Sequence, residues 1–272
     1  MYDWLRTLPA GARVLDLASA GGSFTITGLV CSVIAVDEDP ETFRAVPAPG
    51  HPRYARILAR CQQIPVASAS IDLVVCNHAL EHFGELDEVI AEIGRVLKPA
   101  GRLFLSVPDG YGLCDALYRW LFEGGGHVNR FRRAELACSI ESRLGLHLAQ
   151  WQKLHSSFSY LHSILPLLDS PPPDLQPRLR RLARLPRFVI TGSHRALYVA
   201  TRLLDQLFGT GSSTYGWAFW FDHGKGPAVE KPAWRNVCLY CGAGQPPEST
   251  LPLPRLGWQC STCTRRNPFR CG

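Results

Sequence analysis

The sequence lacks a long apolar run, an export signal and a large excess of charge of one sign. No stretch reaches 18 consecutive apolar residues, and residues 1–12 do not combine a basic start with an apolar core. These absences argue against a membrane span and against secretion, so we expect a cytoplasmic protein, with peripheral membrane association as the alternative. The net charge of +6 allows an acidic partner but does not select one.

Size and composition limit the number of domains. The 272 residues suffice for one large α/β domain with a buried core and a small appendage, but not for two full enzyme domains. A hydrophobic content of 46% and a charged content of 19% are typical of a folded globular chain. In a chain without an export signal, the ten cysteines favour metal binding over disulfides wherever they occur as close pairs.

Short runs rich in β-branched residues alternate with helical patterns along the first half of the chain. Residues 86–97 place apolar side chains at helical spacing, and Lys98–Gly101 is expected to end that helix. Apolar strands that alternate with helices predict a parallel, doubly wound sheet with helices on both faces. The predicted strands are residues 13–17, 32–37, 54–58, 71–76 and 102–107.

The turn after the first strand is the expected ligand site, because such sheets bind ligands at the carboxyl ends of their strands. Small residues at 18–22 let the backbone approach a ligand, and the following helix offers N–H groups to a carboxylate. Asp37 ends the next strand, and its carboxylate can accept both hydroxyls of a ribose. Together these features indicate a nucleoside site. In the alternative interpretation Asp16 only braces the turn, Asp37 only caps a helix, and Asn77 only bonds its own backbone.

Five blocks of sequence resemble, in order and spacing, the class I S-adenosylmethionine (SAM)-dependent methyltransferases of the type 11 group. The first block, VLDLASAGGSF, contains the small-residue turn, and the fourth, HALEH, follows the fourth predicted strand. The resemblance covers roughly residues 10–154 and implies the Rossmann-like fold of that family. The blocks are residues 14–24, 33–37, 64–75, 78–82 and 96–103.

The resemblance also implies a SAM cofactor whose methionyl end lies over the first turn and whose ribose meets the acidic end of the second strand. The family usually carries Gly-x-Gly-x-Gly in that turn, where this chain has Ala18, Ala20 and Gly22. It usually carries an aspartate at the end of the third strand, where this chain has Arg60 followed by Cys61. The expected cofactor-binding residues are Asp16, Ala18, Ala20, Gly21, Gly22, Asp37, Glu38, Cys61 and Asn77.

Methyl transfer from a sulfonium is an in-line displacement, which needs alignment and exclusion of water more than reactive side chains. An oxygen or nitrogen acceptor can require a base, and the candidates are His78, His82 and His127. We favour His127, because the glycines at 124–126 predict a mobile segment that closes on a substrate. His82 is expected to have a structural part behind the sheet. Alternatively, all three histidines pack or cap.

An insertion is expected before the last strand of a seven-stranded sheet. Residues 146–151 alternate like a sixth strand, and the next strand candidate is at 215–221. The insertion, about 157–212, holds arginines interleaved with leucines, so residues 174–208 predict basic helices. These helices are interpreted as a lid over the acceptor pocket, as a surface for an anionic membrane, or as a phosphate-binding cluster.

Two Cys-x-x-Cys pairs near the C-terminus resemble a zinc ribbon. Cys238 and Cys241 are separated from Cys260 and Cys263 by 18 residues. Such pairs can present four thiolates as a tetrahedron, and a closed zinc site of this kind is structural or serves recognition. A redox dithiol pair is the alternative. The expected organisation is a methyltransferase domain at 1–223, a linker at 224–233 and a zinc-ribbon-like module at 234–272.

These features predict an α/β, Rossmann-like enzyme with structural zinc that transfers a methyl group from SAM to a small or lipid-linked acceptor. Two other functions stay open. One is a catalytically degenerate scaffold that binds partners through the ribbon. The other is a nucleic-acid methyltransferase that holds RNA or DNA with the ribbon and the basic helices. A protein partner of the ribbon is a further expectation.

Overall fold

The computed structural model describes residues 1–45, 51–156, 158, 175–182 and 184–234, and three two-residue strands after them. The chain divides into two compact units. The first unit comprises residues 1–108, 128–151 and 217–231, and the second comprises residues 109–127, 152–216 and 232–272. The segment predicted as one methyltransferase domain, 1–223, therefore contributes to both units.

All five strands predicted in the first half of the chain are present. The helix predicted after the first turn is absent: residues 18–31 form turns, in which Gly22 and Gly28 have a positive φ that an α-helix does not accept. The helices are α1 (Tyr2–Thr7), α2 (Pro40–Ala45), α3 (Leu86–Val96), α4 (Leu113–Leu121), α5 (Arg133–Leu144), α6 (Pro177–Leu182) and α7 (Arg187–Phe208). The strands are β1 (Arg13–Leu17), β2 (Ser32–Asp37), β3 (Tyr54–Leu58), β4 (Ile71–Asn77), β5 (Leu97–Pro108), β6 (His147–His155), β7 (Thr214–Asp222), β8 (Val229–Trp234), β9 (Leu251–Pro252), β10 (Trp258–Gln259) and β11 (Arg266–Asn267).

The main sheet is a mixed sheet of the Rossmann-like type, with strand order β3-β2-β1-β4-β5-β7-β6-β8. Strands β1 to β5 pair in parallel, and β1 and β4 are buried along almost their whole length, as their continuous apolar sequences predict. The order reverses between β1 and β4. In open α/β sheets this switch point opens a crevice at the carboxyl ends of the strands.

The sheet has eight strands rather than the seven that the sequence predicts. The additional strand, β8, includes residues 229–233 of the predicted linker at 224–233. Pro232 argues against a strand when the sequence is read alone, because proline cannot donate to a hydrogen-bonded ladder. An edge position tolerates it, since one side of an edge strand has no partner strand to receive that hydrogen bond.

Strand β5 begins earlier than predicted. It starts at Leu97 and includes Lys98–Gly101, and its pairing with β4 shifts register between Ile71 and Leu73. Gly101 permits this irregularity, because a Cβ atom at this position would lie 2.9 Å from the carbonyl oxygen of Lys98. The preceding helix ends at Val96, close to the predicted stop.

The core of the first unit lies between the sheet and two helices. Helix α3 buries the apolar stripe predicted from its spacing, and α5 buries a second stripe that contacts the same cluster. The absence of a side chain at Gly94 lets α3 and α5 pack closely, because a Cβ atom there would lie 3.0 Å from Leu144 Cδ2. The buried helix residues are Val89, Ile90, Ile93, Val96, Leu136, Ala137 and Ile140.

The second unit is mainly helical in its described part. Helices α4, α6 and α7 surround a small apolar core. Helices α6 and α7 lie in the segment 174–208 predicted as basic helices, while residues 157 and 159–174 of the predicted insertion lie outside the described residues. None of the helices described is long and apolar enough to cross a membrane. The core consists of Cys114, Leu121, Phe158, Leu175, Leu179 and Tyr198.

The C-terminal segment contributes a separate antiparallel sheet in the order β11-β10-β9. Trp258 pairs with Asn267, and Gln259 pairs with Arg266. The four cysteines predicted as zinc ligands, Cys238, Cys241, Cys260 and Cys263, lie outside the described residues.

Candidate functional site

The turn after β1 has a backbone conformation that favours glycine. Ala18 has φ 49°, Ala20 has φ 44° and Gly22 has φ 106°, so all three positions lie in the left-handed region. Hydrogen bonds from Ser19 N–H to the Val36 carbonyl and from Gly22 N–H to the Ser19 carbonyl hold the turn. The two alanines therefore accept a conformation that costs an L-residue roughly 1–2 kcal/mol and costs glycine almost nothing.

Asp16 braces this turn from beneath. Its side chain is 1% exposed, and its Oδ2 atom accepts a hydrogen bond of 2.9 Å from Ser23 N–H. Its Oδ1 atom is buried and has no hydrogen-bond partner among the described residues. Burial raises the pKa of Asp16 to about 6, although the Ser23 hydrogen bonds oppose the shift. One carboxylate oxygen thus supports the turn, and the other is an acceptor without a donor.

Asp37 connects the turn to the end of β2. Its Oδ2 atom accepts the Ala20 N–H at 2.7 Å, and its Oδ1 atom accepts the Asp39 N–H at 3.0 Å. The side chain is half-buried, and each oxygen keeps a second lone pair for a ligand hydroxyl. Its neighbours in the predicted cofactor site, Ala20, Gly21, Gly22 and Glu38, are exposed at the same edge of the sheet.

The two residues that depart from the family pattern after β3 have different environments. Arg60 is exposed and forms an ion pair of 2.9 Å with Glu85, to which Gln62 also donates a hydrogen bond. Cys61 is buried in the main core, and this burial raises its pKa to about 12. The thiol of Cys61 therefore packs in the core. The contact to SAM predicted for Cys61 would have to come from its main chain.

Asn77 ends β4 and bonds the neighbouring strand instead of its own backbone. Its Oδ1 atom accepts a hydrogen bond of 2.6 Å from the Ser106 hydroxyl on β5. The next residue, His78, has φ 53°, so the chain turns sharply as it leaves the sheet. Ser106 was missed in the sequence because nothing in its local pattern distinguishes it from other small residues of an apolar strand.

His82 lies on the surface, contrary to the structural position expected behind the sheet. It is exposed and ends a short 3-10 turn, Leu80–His82. The turn buries Leu80 and Glu81, and the main-chain carbonyl of Glu81 accepts the N–H groups of Val128 and Asn129. The HALEH block therefore anchors residues 128 and 129, where the chain re-enters the first unit.

His127 is held by a buried ion-pair network within the second unit. Its Nδ1 atom lies 2.6 Å from Asp115 Oδ1, and its side chain is 7% exposed. Asp115 Oδ2 accepts a hydrogen bond of 2.5 Å from Arg119 Nε, and the ring of Tyr118 stacks on the imidazole with 4.7 Å between centroids. Burial alone would raise the pKa of Asp115, but the hydrogen bonds from His127 and Arg119 outweigh it and lower the pKa.

The glycines before His127 form a hydrogen-bonded turn where the sequence predicts a mobile segment. All three have positive φ, and N–H groups of the turn donate to carbonyls of Arg119, Phe122 and Gly124. Gly125 lies against Tyr118, where a Cβ atom would clash with the ring. The sequence offers one signal for the missed Asp115, since Asp115 and Arg119 have the i, i+4 spacing of a helical ion pair.

Comparison with known proteins explains the arrangement around β1. Residues 15–105 match a family described as a methyltransferase domain. A ubiquinone biosynthesis O-methyltransferase from Xanthomonas axonopodis pv. citri is 32% identical over 162 residues, which are 54% of this chain and 67% of that protein. The chain belongs to the class I SAM-dependent methyltransferases.

This methyltransferase also resembles a malonyl-[acyl-carrier protein] O-methyltransferase from Methylococcus capsulatus, with 31% identity over 45% of this chain and 47% of that protein. The chain thus spans between about half and two thirds of the curated relatives named here. A phosphoethanolamine N-methyltransferase 2 structure from Haemonchus contortus has a TM-score of 0.53 and 15% identity, and the match covers 81% of this chain and 50% of that chain. That similarity supports the fold alone.

The family match separates the two groups of candidate residues in this methyltransferase. Asp16, Asp37 and Asn77 lie inside residues 15–105, whereas Asp115 and His127 lie beyond them. The methyl donor of the family is SAM. Roles for residues beyond the match depend on their own geometry.

Proposed function

We propose that this chain transfers the methyl group of SAM to an oxygen atom of a small or lipid-linked acceptor. The observation that carries the proposal is the left-handed turn at 18–22 with Asp16 beneath it and Asp37 beside it. Both relatives named above are O-methyltransferases, which supports an oxygen acceptor. Open α/β sheets bind ligands at the carboxyl ends of their strands, which supports the ends of β1 and β2 as the nucleoside site.

The residues of the turn suit the groups of SAM. The buried Oδ1 atom of Asp16 lacks a donor, and a cationic group such as the ammonium of SAM would satisfy it. Asp37 would accept ribose hydroxyls while it keeps its hydrogen bonds to the turn, because carboxylate oxygens accept more than one donor. The N–H group of exposed Gly21 would face the methionyl carboxylate.

His127 is our candidate for the base. Bound SAM supplies an activated methyl group on a sulfonium, which an acceptor oxygen attacks as the carbon–sulfur bond breaks. Asp115 orients the imidazole through Nδ1, so the basic lone pair of the neutral ring is on Nε2. In this role Nε2 takes the proton of the acceptor hydroxyl during transfer, and Asp115 stabilises the resulting imidazolium.

The test of the cofactor site is calorimetric titration of SAM and of its demethylated product into the intact protein. We expect binding near micromolar strength, and Asp37→Ala should weaken it tenfold or more, which is about 1.4 kcal/mol. Asp37→Asn keeps one carbonyl acceptor for the turn and should give an intermediate affinity. Asp222→Ala is the matched control, because Asp222 also ends a strand and accepts the N–H of the residue two positions later.

The outcomes separate the proposal from the scaffold alternative. If Asp37→Ala binds SAM as tightly as the wild type, Asp37 does not contact the cofactor. A folded protein that does not bind SAM would contradict the enzyme and favour a scaffold. If SAM binds, transfer of a labelled methyl group to extracts of candidate acceptors tests the reaction, and alkaline treatment of the product distinguishes a labile ester from a stable ether. Salt-sensitive transfer to RNA or DNA would instead favour a nucleic-acid substrate.

We also propose that Cys238, Cys241, Cys260 and Cys263 hold a structural zinc ion. The support from the described residues is the antiparallel pair β10–β11, since the chain that connects these strands contains Cys260 and Cys263. A knuckle between two short strands is a common way to present two thiolates to zinc. Such a site is closed, so its part would be structural or a contact to a protein partner.

Metal analysis of the intact protein tests the zinc site. We expect one zinc per chain, lost in the double variant Cys260→Ser/Cys263→Ser and kept in Cys138→Ser, which changes an exposed cysteine elsewhere. SAM affinity should survive loss of the metal if the two parts fold independently. Full zinc content in the double variant would contradict the ligand assignment.

A further inference from the structure

We propose that the outer face of helix α7, formed by Ala196, Val199, Ala200, Leu203 and Leu207, binds the surface of an anionic lipid bilayer. The three large side chains of this face follow each other at i, i+4 and i+8, so they form one stripe along the helix. Val199 is 37% exposed, Leu203 is 44% exposed and Leu207 is 71% exposed. The proposal does not depend on which acceptor the enzyme methylates.

The helix departs from the amphipathic pattern that water selects. Its buried side includes Thr201 and Arg202 beside Ile190 and Tyr198, and its exposed side includes the valine and leucines of the stripe as well as Arg195. Arg202 donates a hydrogen bond of 3.2 Å to the Ser213 hydroxyl, and its guanidinium lies 5.2 Å from the centre of the Tyr198 ring. A surface helix in water places its charged residues outward. A continuous exposed apolar stripe therefore indicates a second, non-aqueous neighbour.

The charge of the surrounding segment selects an anionic surface. Residues 175–208 contain seven arginines and a single acidic residue, Asp205. Arg180, Arg181, Arg184 and Arg195 are exposed and precede the stripe in sequence, the last of them one helical turn before Val199. Basic side chains beside an apolar face bind anionic head groups while the apolar groups enter the interface.

An aromatic residue on the neighbouring helix fits the same environment. Trp120 on α4 is exposed, and the Arg178 guanidinium lies 5.3 Å from the centre of its ring. Tryptophan and arginine side chains concentrate at the level of lipid head groups. Because no described helix can span the bilayer, the contact expected from these groups is one in which α7 lies along the membrane surface.

Vesicle co-sedimentation of the full chain tests the proposal. The probe is vesicles of phosphatidylcholine that contain about one third phosphatidylglycerol, with pure phosphatidylcholine as the uncharged comparison. We expect the wild type to sediment with the charged vesicles, much less with the neutral ones, and less again when salt rises from about 0.1 to about 0.5 M. The variant Leu203→Gln/Leu207→Gln should lower the partition at least tenfold.

The control is Val229→Gln, which changes an exposed apolar residue on β8 in the first unit and should leave partition unchanged. SAM affinity and the thermal transition of each variant report whether it is folded. Vesicle binding that survives Leu203→Gln/Leu207→Gln, or a wild type that ignores charged vesicles, would overturn the proposal. A lipid-free dimer that this variant dissociates, without vesicle binding by the wild type, would overturn it in favour of a second copy of this chain.

Discussion

Two buried aspartates, one in each unit, have opposite environments. Asp16 has one hydrogen-bonded oxygen and one oxygen without a donor among the described residues, and its pKa is raised. Asp115 contacts His127 with one oxygen and Arg119 with the other, and its pKa is lowered. A satisfied buried pair maintains structure, whereas an unsatisfied buried carboxylate is stabilised only when a ligand arrives. The comparison supports the roles proposed above, in which Asp16 binds the ligand and Asp115 orients His127.

The variant Asp16→Asn should have the largest effect and tests the first half of this comparison. We expect SAM affinity to fall by tenfold or more, because the charge that faces a cationic ligand is removed. Without ligand the variant should be more stable than the wild type at pH 8, because it no longer buries an ionised carboxylate. Calorimetry measures SAM affinity, and urea unfolding measures the free energy of unfolding. A variant that loses both affinity and stability would contradict a ligand-binding role for Asp16.

The pH dependence of Asp16 sharpens that test. The pKa in the folded protein, about 6, lies above the unfolded value near 3.8. Asp16 therefore contributes stability that is fully present below the unfolded pKa and is lost as pH rises through about 6, by about 3 kcal/mol at most. SAM affinity should change in the opposite sense and fall as pH drops below 6. Neither dependence should remain in Asp16→Asn.

Asp115→Ala tests the other half of the comparison. It leaves the buried side chains of His127 and Arg119 without their carboxylate, and we expect a loss of about 3 kcal/mol in the free energy of unfolding. SAM affinity should be unchanged. Because its pKa is lowered on folding, Asp115 stabilises the protein above its unfolded pKa, and this contribution disappears as pH falls through the folded value.

The control for Asp115→Ala is Glu41→Ala, which breaks the exposed ion pair between Glu41 and Arg44 on α2. Exposed pairs of this kind contribute less than about 1 kcal/mol, so urea unfolding should detect almost no change. If Asp115→Ala lowers the free energy of unfolding no more than the control does, the network of Asp115, His127 and Arg119 does not stabilise the fold.

The strands and the turn around Asp16 and Asp37 could be predicted from sequence because their determinants are local. Strands β1 to β4 are short apolar runs with bounds that the pattern gives to within a residue, and the turn at 18–22 follows directly from the first of them. Asp16 and Asp37 are close in space because adjacent parallel strands end at the same edge of a sheet. No long-range information was needed to place them.

The remaining features depend on contacts that local patterns do not contain. Pro232 makes the sequence of β8 look unlike a strand, although the segment is an edge strand. The burial of Cys61 depends on the core packed around it rather than on its neighbours in sequence. His127 and Asp115 are 12 residues apart, on opposite sides of a turn whose geometry sets their distance. The exposed apolar stripe of α7 could not be predicted, because leucines at helical spacing predict a buried face whichever side the core occupies.

Gly125→Ala tests how tightly the second unit holds His127. Gly125 has φ 58°, and a Cβ atom there would meet Tyr118, the residue whose ring stacks on His127. Gly145→Ala is the matched control, because Gly145 has φ 65° and a Cβ atom there would have nothing within 4 Å. We expect a loss of about 1 kcal/mol in the control and about 2 kcal/mol or more in Gly125→Ala, measured by urea unfolding. Equal losses of stability in the two variants would mean that the Tyr118 side chain moves aside at little energetic cost.

The smallest effect is expected where this chain departs from the glycine pattern of its family. Ala18→Gly and Ala20→Gly should each raise the free energy of unfolding by up to about 1 kcal/mol, because both alanines have positive φ. Ala100→Gly, at an exposed alanine outside the set with positive φ, should instead be neutral or destabilising. SAM affinity should be kept or improved in the first two variants, since the turn keeps its shape. A stability loss at Ala18 or Ala20 would mean that the alanine side chains make favourable contacts that outweigh the left-handed strain.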